Sequence, residues 1–307
     1  MRILVTGAAG FLASYAIPKL LERGDEIVGL DNVPGFGTFA FARTVASKGK
    51  APIGVAADIT NPSLPDFFDG PFDCVIHMAA ICSPKECNAD PMRSFCTNVY
   101  GTYNVLRLAS KHRARVVFAS SGHVYGISPK YLPTDEGHPP HLQDAYTDGK
   151  VIGEGMCRLF FEDHGLPYIS LRLYNAYGPG QVDGYFVQDT LRQAMRGIVH
   201  LRGKNVTKDF LYVSDIADAI LAASTSNFVG AVNVGSGREA TLGFVGEHIA
   251  HRLEVPIEWV KDPDIKDTRM ACDRSRALQV LGWEPKVELE EGLDRTIAAA
   301  KENRARV

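Results

Sequence analysis

The chain has 307 residues, 45% hydrophobic and 22% charged, with a formal net charge of -3 at pH 7. That composition is of a soluble globular protein with ample length for a core, read as one large α/β domain plus a smaller lobe. No basic excess, long charge run or apolar run of membrane-spanning length argues for nucleic acid or a membrane as partner.

Ile3, Leu4 and Val5 form a short apolar run, the pattern of a strand buried on both faces. Thr6-Gly7-Ala8-Ala9-Gly10 interrupts it, and Phe11 to Leu21 reads as a helix with Phe11, Leu12, Ile17, Leu20 and Leu21 as its apolar positions. Strand, glycine turn and helix together predict a dinucleotide site. Gly7 permits the tight turn, Gly10 lets the backbone approach a pyrophosphate, and the helix N-terminus offers N–H groups to the phosphates. Ala13 is small enough for close helix–strand packing. Glu26–Asp31 reads as a second strand ending in an acid. An acid there accepts from ribose hydroxyls and repels a 2′-phosphate, which predicts NAD rather than NADP. Residues 32–50 are read as covering the adenine side.

Ile53 to Ala57 is the third predicted strand, followed by Asp58-Ile59; Asp58 taken alone is nearly as well read as a polar strand end. Phe72 to Ala80 is a strand running into the small-residue loop Met78-Ala79-Ala80, past which a cofactor can lie closely. Asn98 to His112 is a helix with a glycine near its start. Val116 to Ser121 is a strand ending in two hydroxyls at the sheet edge where open α/β sheets bind ligands. Tyr146 and Lys150 open the next helix, four residues apart on one face. Tyr168 to Leu173 is the sixth strand, and Tyr174 to Gly180 leads out of the sheet. Asn233 to Gly237 is a short strand and turn, and Thr241 reads as a helix N-cap. The six cysteines have no metal-like spacing and read as reduced thiols. With a strand at the very start and no signal peptide before it, the expected location is cytoplasmic.

The opening T-G-x-x-G-F-L-A resembles the extended short-chain dehydrogenase/reductases, and more narrowly their NAD-dependent nucleotide-sugar epimerases and dehydratases. The resemblance runs on through His77-x-Ala-Ala80, Asn98-x-x-Gly-Thr-x-Asn, Ser121-x-x-Val-Tyr-Gly126, Tyr146-x-x-x-Lys150, Tyr174-Asn-Ala-Tyr-Gly-Pro-Gly180, Lys208-Asp-Phe-x-Tyr-Val-x-Asp and Leu281-Gly-Trp-x-Pro285. It implies a Rossmann-type doubly wound parallel sheet with a smaller α/β C-terminal substrate lobe. Residues 1–173 plus about 212–238 would bind NAD. Residues from about 174 to 211 plus 239–307 would form the substrate lobe.

Carried over position by position, the resemblance implies catalysis by Ser121, Tyr146 and Lys150. Gly7, Gly10, Phe11, Leu12, Asp31, Asn32, Asp58, Ile59, Met78, Ala79, Ala80, Asn98 and Tyr174 would join Tyr146 and Lys150 around NAD, with Asn98 relaying hydrogen bonds to the lysine. Ser121, His123, Tyr146, Asn175, Lys208 and Arg269 would meet a nucleotide-diphosphate sugar, a UDP-sugar favoured, and residues near Cys87, Tyr177 and Tyr185 would line the sugar pocket. No metal is implied. The reaction implied first is C4 epimerisation through a transient 4-keto sugar, of the UDP-glucose/UDP-galactose type. Dehydration or decarboxylation of a nucleotide sugar, net oxidation of a uronate, and dinucleotide binding without catalysis are the alternatives. Two departures bear on the choice. Gly122 and His123 stand where dehydratases carry an acid, and Lys208 stands where the family has a diphosphate-binding arginine. The helices around 98–112 and 148–163 carry extra apolar residues, among them Tyr103, Leu106, Leu108, Val151, Met156 and Phe160, and the family pairs them in a homodimer.

Overall fold

The computed structural model describes residues 1–34, 36, 52–262, 265 and 267–305. Most of the stretch read as covering the adenine side therefore lies outside the described residues. Six strands follow in chain order: β1 (Arg2–Thr6), β2 (Glu26–Asp31), β3 (Ile53–Ala56), β4 (Cys74–His77), β5 (Arg115–Ser121) and β6 (Tyr168–Leu173). The chain then forms β7 (Asn175–Tyr177), β8 (Val199–Leu201), β9 (Thr207–Lys208), β10 (Phe210–Tyr212), β11 (Gly230–Val234), β12 (Ala240–Thr241) and β13 (Ile257–Trp259).

Seven of these make one parallel sheet in the order β11-β6-β5-β4-β1-β2-β3. The order reverses between β1 and β4, and the crevice beyond the strands' carboxyl ends at such a point is where doubly wound sheets bind ligands. Helices cover both faces, so the central strands are apolar throughout: Ile3, Leu4, Val5, Val75 and Ile76 are all fully buried. On one face the helices Phe11–Glu22 and Val213–Thr225 pack together, with Ala13, Ile17, Leu20, Ile216 and Ile220 in the core. Phe11 and Leu12 are only half buried; the inward stripe is Ala13, Ala16, Ile17, Leu20 and Leu21, the spacing of one helical face. On the other face Val105, Leu106, Leu108, Cys157 and Phe160 come from Thr102–His112 and Ala145–His164.

The predicted helix from Asn98 begins differently. Short helices at Pro84–Ala89 and Pro91–Phe95 lead into a π-helical turn at Cys96–Gly101, and α-helix resumes at Thr102. Gly101 sits under Ile59, where an added Cβ would be 2.6 Å from Ile59 Cδ1.

A second core gathers β7, β8, β10 and the helices Phe186–Ala194, Leu242–Leu253 and Leu289–Ala305 around Val187, Leu191, Val199, Leu201, Ile249 and Leu293. Thr241 caps its helix as read, its hydroxyl accepting from Phe244 N at 2.9 Å. β9 pairs antiparallel with β12, and β7 pairs with β10. Among the described residues no helix is long and apolar enough to cross a membrane, and no group of His, Cys, Asp or Glu could hold a metal.

Candidate active site

The floor of the crevice is the turn after β1. Gly7 takes φ +72°, a region that L side chains avoid, and a Cβ there would lie 2.7 Å from Ala79 N. The β1 turn is thus pressed against the Met78-Ala79-Ala80 loop after β4. Gly7 N and Ala8 N both donate to Leu30 O, at 2.9 and 3.2 Å. The helix at Phe11 opens from Gly10 with no side-chain cap and no acid in its first turn. Its first N–H groups are left for a ligand, which suits a pyrophosphate. Asp31 closes β2, its two oxygens accepting from Ala9 N at 2.9 Å and Val33 N at 3.1 Å.

Asn32 donates to Asp58 at 2.9 Å, and Thr60 N donates to the other Asp58 oxygen at 2.8 Å. Burial pushes the Asp58 carboxyl up, but these bonds outweigh it and the net shift is down. Asp58 is therefore well anchored as a strand end. The Ile59 side chain is buried against Gly101, so a ligand in the crevice can meet only its backbone.

A chain of hydrogen bonds fixes the β1–β4 junction. Ala79 N donates to Thr6 Oγ1 (3.2 Å), Thr6 Oγ1 meets His77 Nδ1 (2.7 Å), His77 Nε2 meets Thr102 Oγ1 (3.0 Å), and Thr102 donates to Asn98 O (2.7 Å). Because Thr102 gives its proton to Asn98 O, it accepts from Nε2–H, and His77 Nδ1 accepts from Thr6. Burial, with the Lys150 charge adding, pushes the His77 pKa down to about 3. His77 is a neutral structural bridge.

Asn98 makes no direct hydrogen bond to Lys150. Its amide clamps the backbone of Ile81, accepting from Ile81 N at 2.8 Å and donating to Ile81 O at 3.0 Å. It holds the loop after β4.

Ser121, Tyr146 and Lys150 come together, each under a tenth exposed. Asp144 caps the helix Ala145–His164 by accepting from Thr147 N at 2.8 Å. The first turn so fixed carries Tyr146, and Lys150 follows one turn later. Lys150 Nζ donates to Ala119 O at 2.7 Å and lies 5.9 Å from the Tyr146 ring centre. Burial lowers the Lys150 pKa. Burial also raises the Tyr146 phenol well above its ordinary value, while the Ser121 hydroxyl pulls the other way. The phenol is thus held protonated by the chain alone, and the lowering expected of a base is not a property of these side chains by themselves.

His123 follows Ser121, whose hydroxyl accepts from His123 N at 3.1 Å, and its ring meets the Tyr146 ring edge-on at 6.3 Å. Burial, then the Lys208 charge, pushes His123 down to about 4, so it is neutral at ordinary pH. Burial likewise lowers Lys208. Asn175 donates to Asp209 O at 3.1 Å and to Met270 Sδ at 3.5 Å. Arg269, beside Met270, is largely exposed and pairs with Glu239.

Two residues lie deep in the protein's own packing. Tyr174 is 4% exposed, its ring against Gly122 and Gly235 in a small core with Val124, Tyr125 and Met270. It supports the serine turn from below. Tyr177 is 1% exposed, its hydroxyl on Leu289 O at 3.1 Å, inside the second core. Cys87 is buried, donating to Ile81 O at 3.4 Å, whereas Cys82 is exposed; burial raises the Tyr185 phenol, with the Cys82 and Glu86 charges adding.

Sequence reading missed a buried network behind the serine. Ser120 donates to Glu154 at 2.5 Å, Glu154 pairs with Arg172 at 2.7 Å, Arg172 donates to Tyr125 at 2.7 Å, and Tyr125 donates to Asn233 at 2.6 Å. One signal was available. An arginine inside the apolar run of Tyr168–Leu173 demands a buried carboxylate.

A doubly wound sheet, a cap-free helix over a glycine turn and a buried Ser/Tyr/Lys set define a dinucleotide-dependent oxidoreductase fold of the short-chain dehydrogenase/reductase type. The chain belongs to the NAD dependent epimerase/dehydratase family, whose model matches residues 3–235. It is 32% identical to UDP-glucuronic acid decarboxylase 3 of Arabidopsis thaliana over 95% of this chain and 87% of that one. Its fold matches the UDP-glucose 4-epimerase of Thermotoga maritima, crystallised with UDP-glucose, with TM-score 0.89, 29% identity and 99% and 100% coverage. The Thermus thermophilus UDP-glucose 4-epimerase, crystallised with NAD, matches with TM-score 0.85, 28% identity and 98% and 99% coverage. The Rossmann-type sheet and the NAD dependence read from the sequence thus stand.

Proposed function

We propose that this protein is an NAD-dependent C4 epimerase of a nucleotide-activated sugar, with a UDP-sugar as substrate. The observation that carries it is the joint burial of Ser121, Tyr146 and Lys150 in the crevice with Gly122 and His123 following the serine. His123 is neutral and offers no carboxylate, so eliminating water from an oxidised sugar lacks its acid and base. NAD, when bound, supplies the acceptor and donor of the transferred hydride. Gly7, Gly10 and the first turn at Phe11 and Leu12 would hold its pyrophosphate. Asp31 would hold its ribose, and Met78, Ala79 and Ala80 would line its path.

The protein's own residues then do the following. Ser121 hydrogen-bonds and orients the C4 hydroxyl. Tyr146 takes the hydroxyl proton as the C4–H bond breaks, and gives it back when the 4-keto sugar is reduced on its other face. Lys150⁺ favours the phenolate when the site is assembled. Asn175, Lys208 and Arg269 bind the nucleotide and sugar.

Offered UDP-glucose or UDP-galactose, the enzyme should interconvert them with no net NADH. Stoichiometric NADH from a free uronic acid, or a product lighter by water or carbon dioxide, would replace this reading. The similarity to UDP-glucuronic acid decarboxylase 3 makes decarboxylation the second reading, which the same product assay separates. We also propose a homodimer built on the helices Thr102–His112 and Ala145–His164. Leu106 and Leu108 are fully buried in the protomer, but Tyr103, Ile152 and Leu159 are 42%, 40% and 52% exposed. Light scattering at micromolar concentration should show a dimer; a monomer refutes it.

A further inference from the structure

Arg269 is placed by its neighbours on both sides in the chain. Thr268 O accepts from Thr207 N at 2.9 Å, and Met270 Sδ accepts from Asn175 Nδ2 at 3.5 Å. The backbone before it is therefore tied to β9, and the side chain after it contacts Asn175. Its side chain is 66% exposed, yet it is not loose. Nε donates to Glu239 Oε1 at 3.0 Å, and Nη2 donates to Glu239 Oε2. Glu239 is itself fixed, because Thr207 Oγ1 donates to the same Oε1 at 2.5 Å. Thr207, Glu239 and Arg269 form one hydrogen-bonded corner across the β9–β12 pair.

The geometry of the fork decides what this does. A guanidinium carries five N–H groups in a plane. Glu239 uses the edge made by Nε and one Nη2 proton. The opposite edge, Nη1 with the second Nη2 proton, keeps two parallel N–H groups, the arrangement that binds a phosphate bidentately. No other partner of Arg269 is found among the described residues. The carboxylate therefore does not occupy the ligand edge; it turns that edge outward. An unheld arginine would have to order its long side chain on binding.

We propose that Glu239 is a positioning residue that pre-orients Arg269 for an anionic phosphoryl group of the nucleotide. This rests on the reading of Arg269 as a diphosphate ligand.

The test is calorimetric titration of UDP into the full-length, NAD-loaded protein and four variants. Arg269→Ala should weaken UDP at least 10-fold. Glu239→Gln should weaken it 5- to 20-fold, with NAD affinity and thermal midpoint close to the parent's. Glu239→Asp, which keeps the charge, should recover part of the loss. In the Arg269→Ala background, Glu239→Gln should change UDP affinity less than twofold. That non-additivity is what a merely structural glutamate would not give. UDP binding unchanged or tighter in Glu239→Gln, or full additivity of the two changes, overturns the proposal. If Arg269→Ala itself leaves UDP binding intact, the diphosphate reading of Arg269 fails and the positioning role falls with it.

Discussion

His77 engages both ring nitrogens with buried threonine hydroxyls, one on β1 and one at the start of the helix Thr102–His112, and this sets a direction for pH. An unfolded histidine takes up a proton near pH 6.5, at roughly its unperturbed value, whereas folded His77 resists until about 3. Acid therefore favours the unfolded chain. The stability from neutral His77 is whole above about pH 6.5 and is lost progressively as pH falls towards 3. His77→Gln should be less stable than the parent at pH 8, and the gap should narrow by pH 5, as read by urea midpoints. At the reacting centre, Tyr146→Phe keeps the ring but removes the proton acceptor, so turnover should fall by more than about 10²-fold. NAD binding, measured by titration, should be little changed. The Ser/Tyr/Lys set was legible because its parts have fixed spacing. The Glu239 hold on Arg269 was not, because a lone glutamate after a glycine turn carries no periodic signal and its partner lies 30 residues on.

The strand Tyr168–Leu173 and the helix Ala145–His164 share a buried ion pair, Arg172–Glu154, with side chains only 9% and 15% exposed. Replacing Glu154 by Leu strands a guanidinium in the core, a change that costs about 3–5 kcal/mol. Chemical denaturation should show it, and adding Arg172→Met should recover much of the loss. Most elements were legible from apolar runs and turn residues: β2 and β6 begin and end where the sequence put them. The entry to the helix at Thr102 was not. A π-helical turn there follows from two tertiary contacts, Gly101 beneath Ile59 and Asn98 clamped to Ile81. Asn98 and Gly101 stand out in the local sequence, but their partners Ile81 and Ile59 lie far from them along the chain, and such turns recur at functional sites.

For the whole molecule, cofactor choice follows from the end of β2. A 2′-phosphate placed at the Asp31 carboxylate meets like charge, so NAD should bind much better than NADP in direct titration, and Asp31→Ala should narrow the gap. Equal affinities in the parent would refute the assignment.

One strand of the sheet has a wider consequence. β11 pairs with β6 from Gly230–Ile169 to Val234–Leu173, yet between them the chain has travelled out through β7 to β10 and back. During synthesis, β6 emerges long before the strand that covers its edge. A nascent or truncated chain ending before residue 230 presents a bare row of backbone donors and acceptors, a template for pairing with another chain. Fragments cut at the apparent boundary near residue 173 should therefore aggregate, while the full chain stays dispersed. Long-range pairing of this kind is intrinsically slow to form, so two pieces divided at that boundary should not fold alone, which circular dichroism of each piece would check.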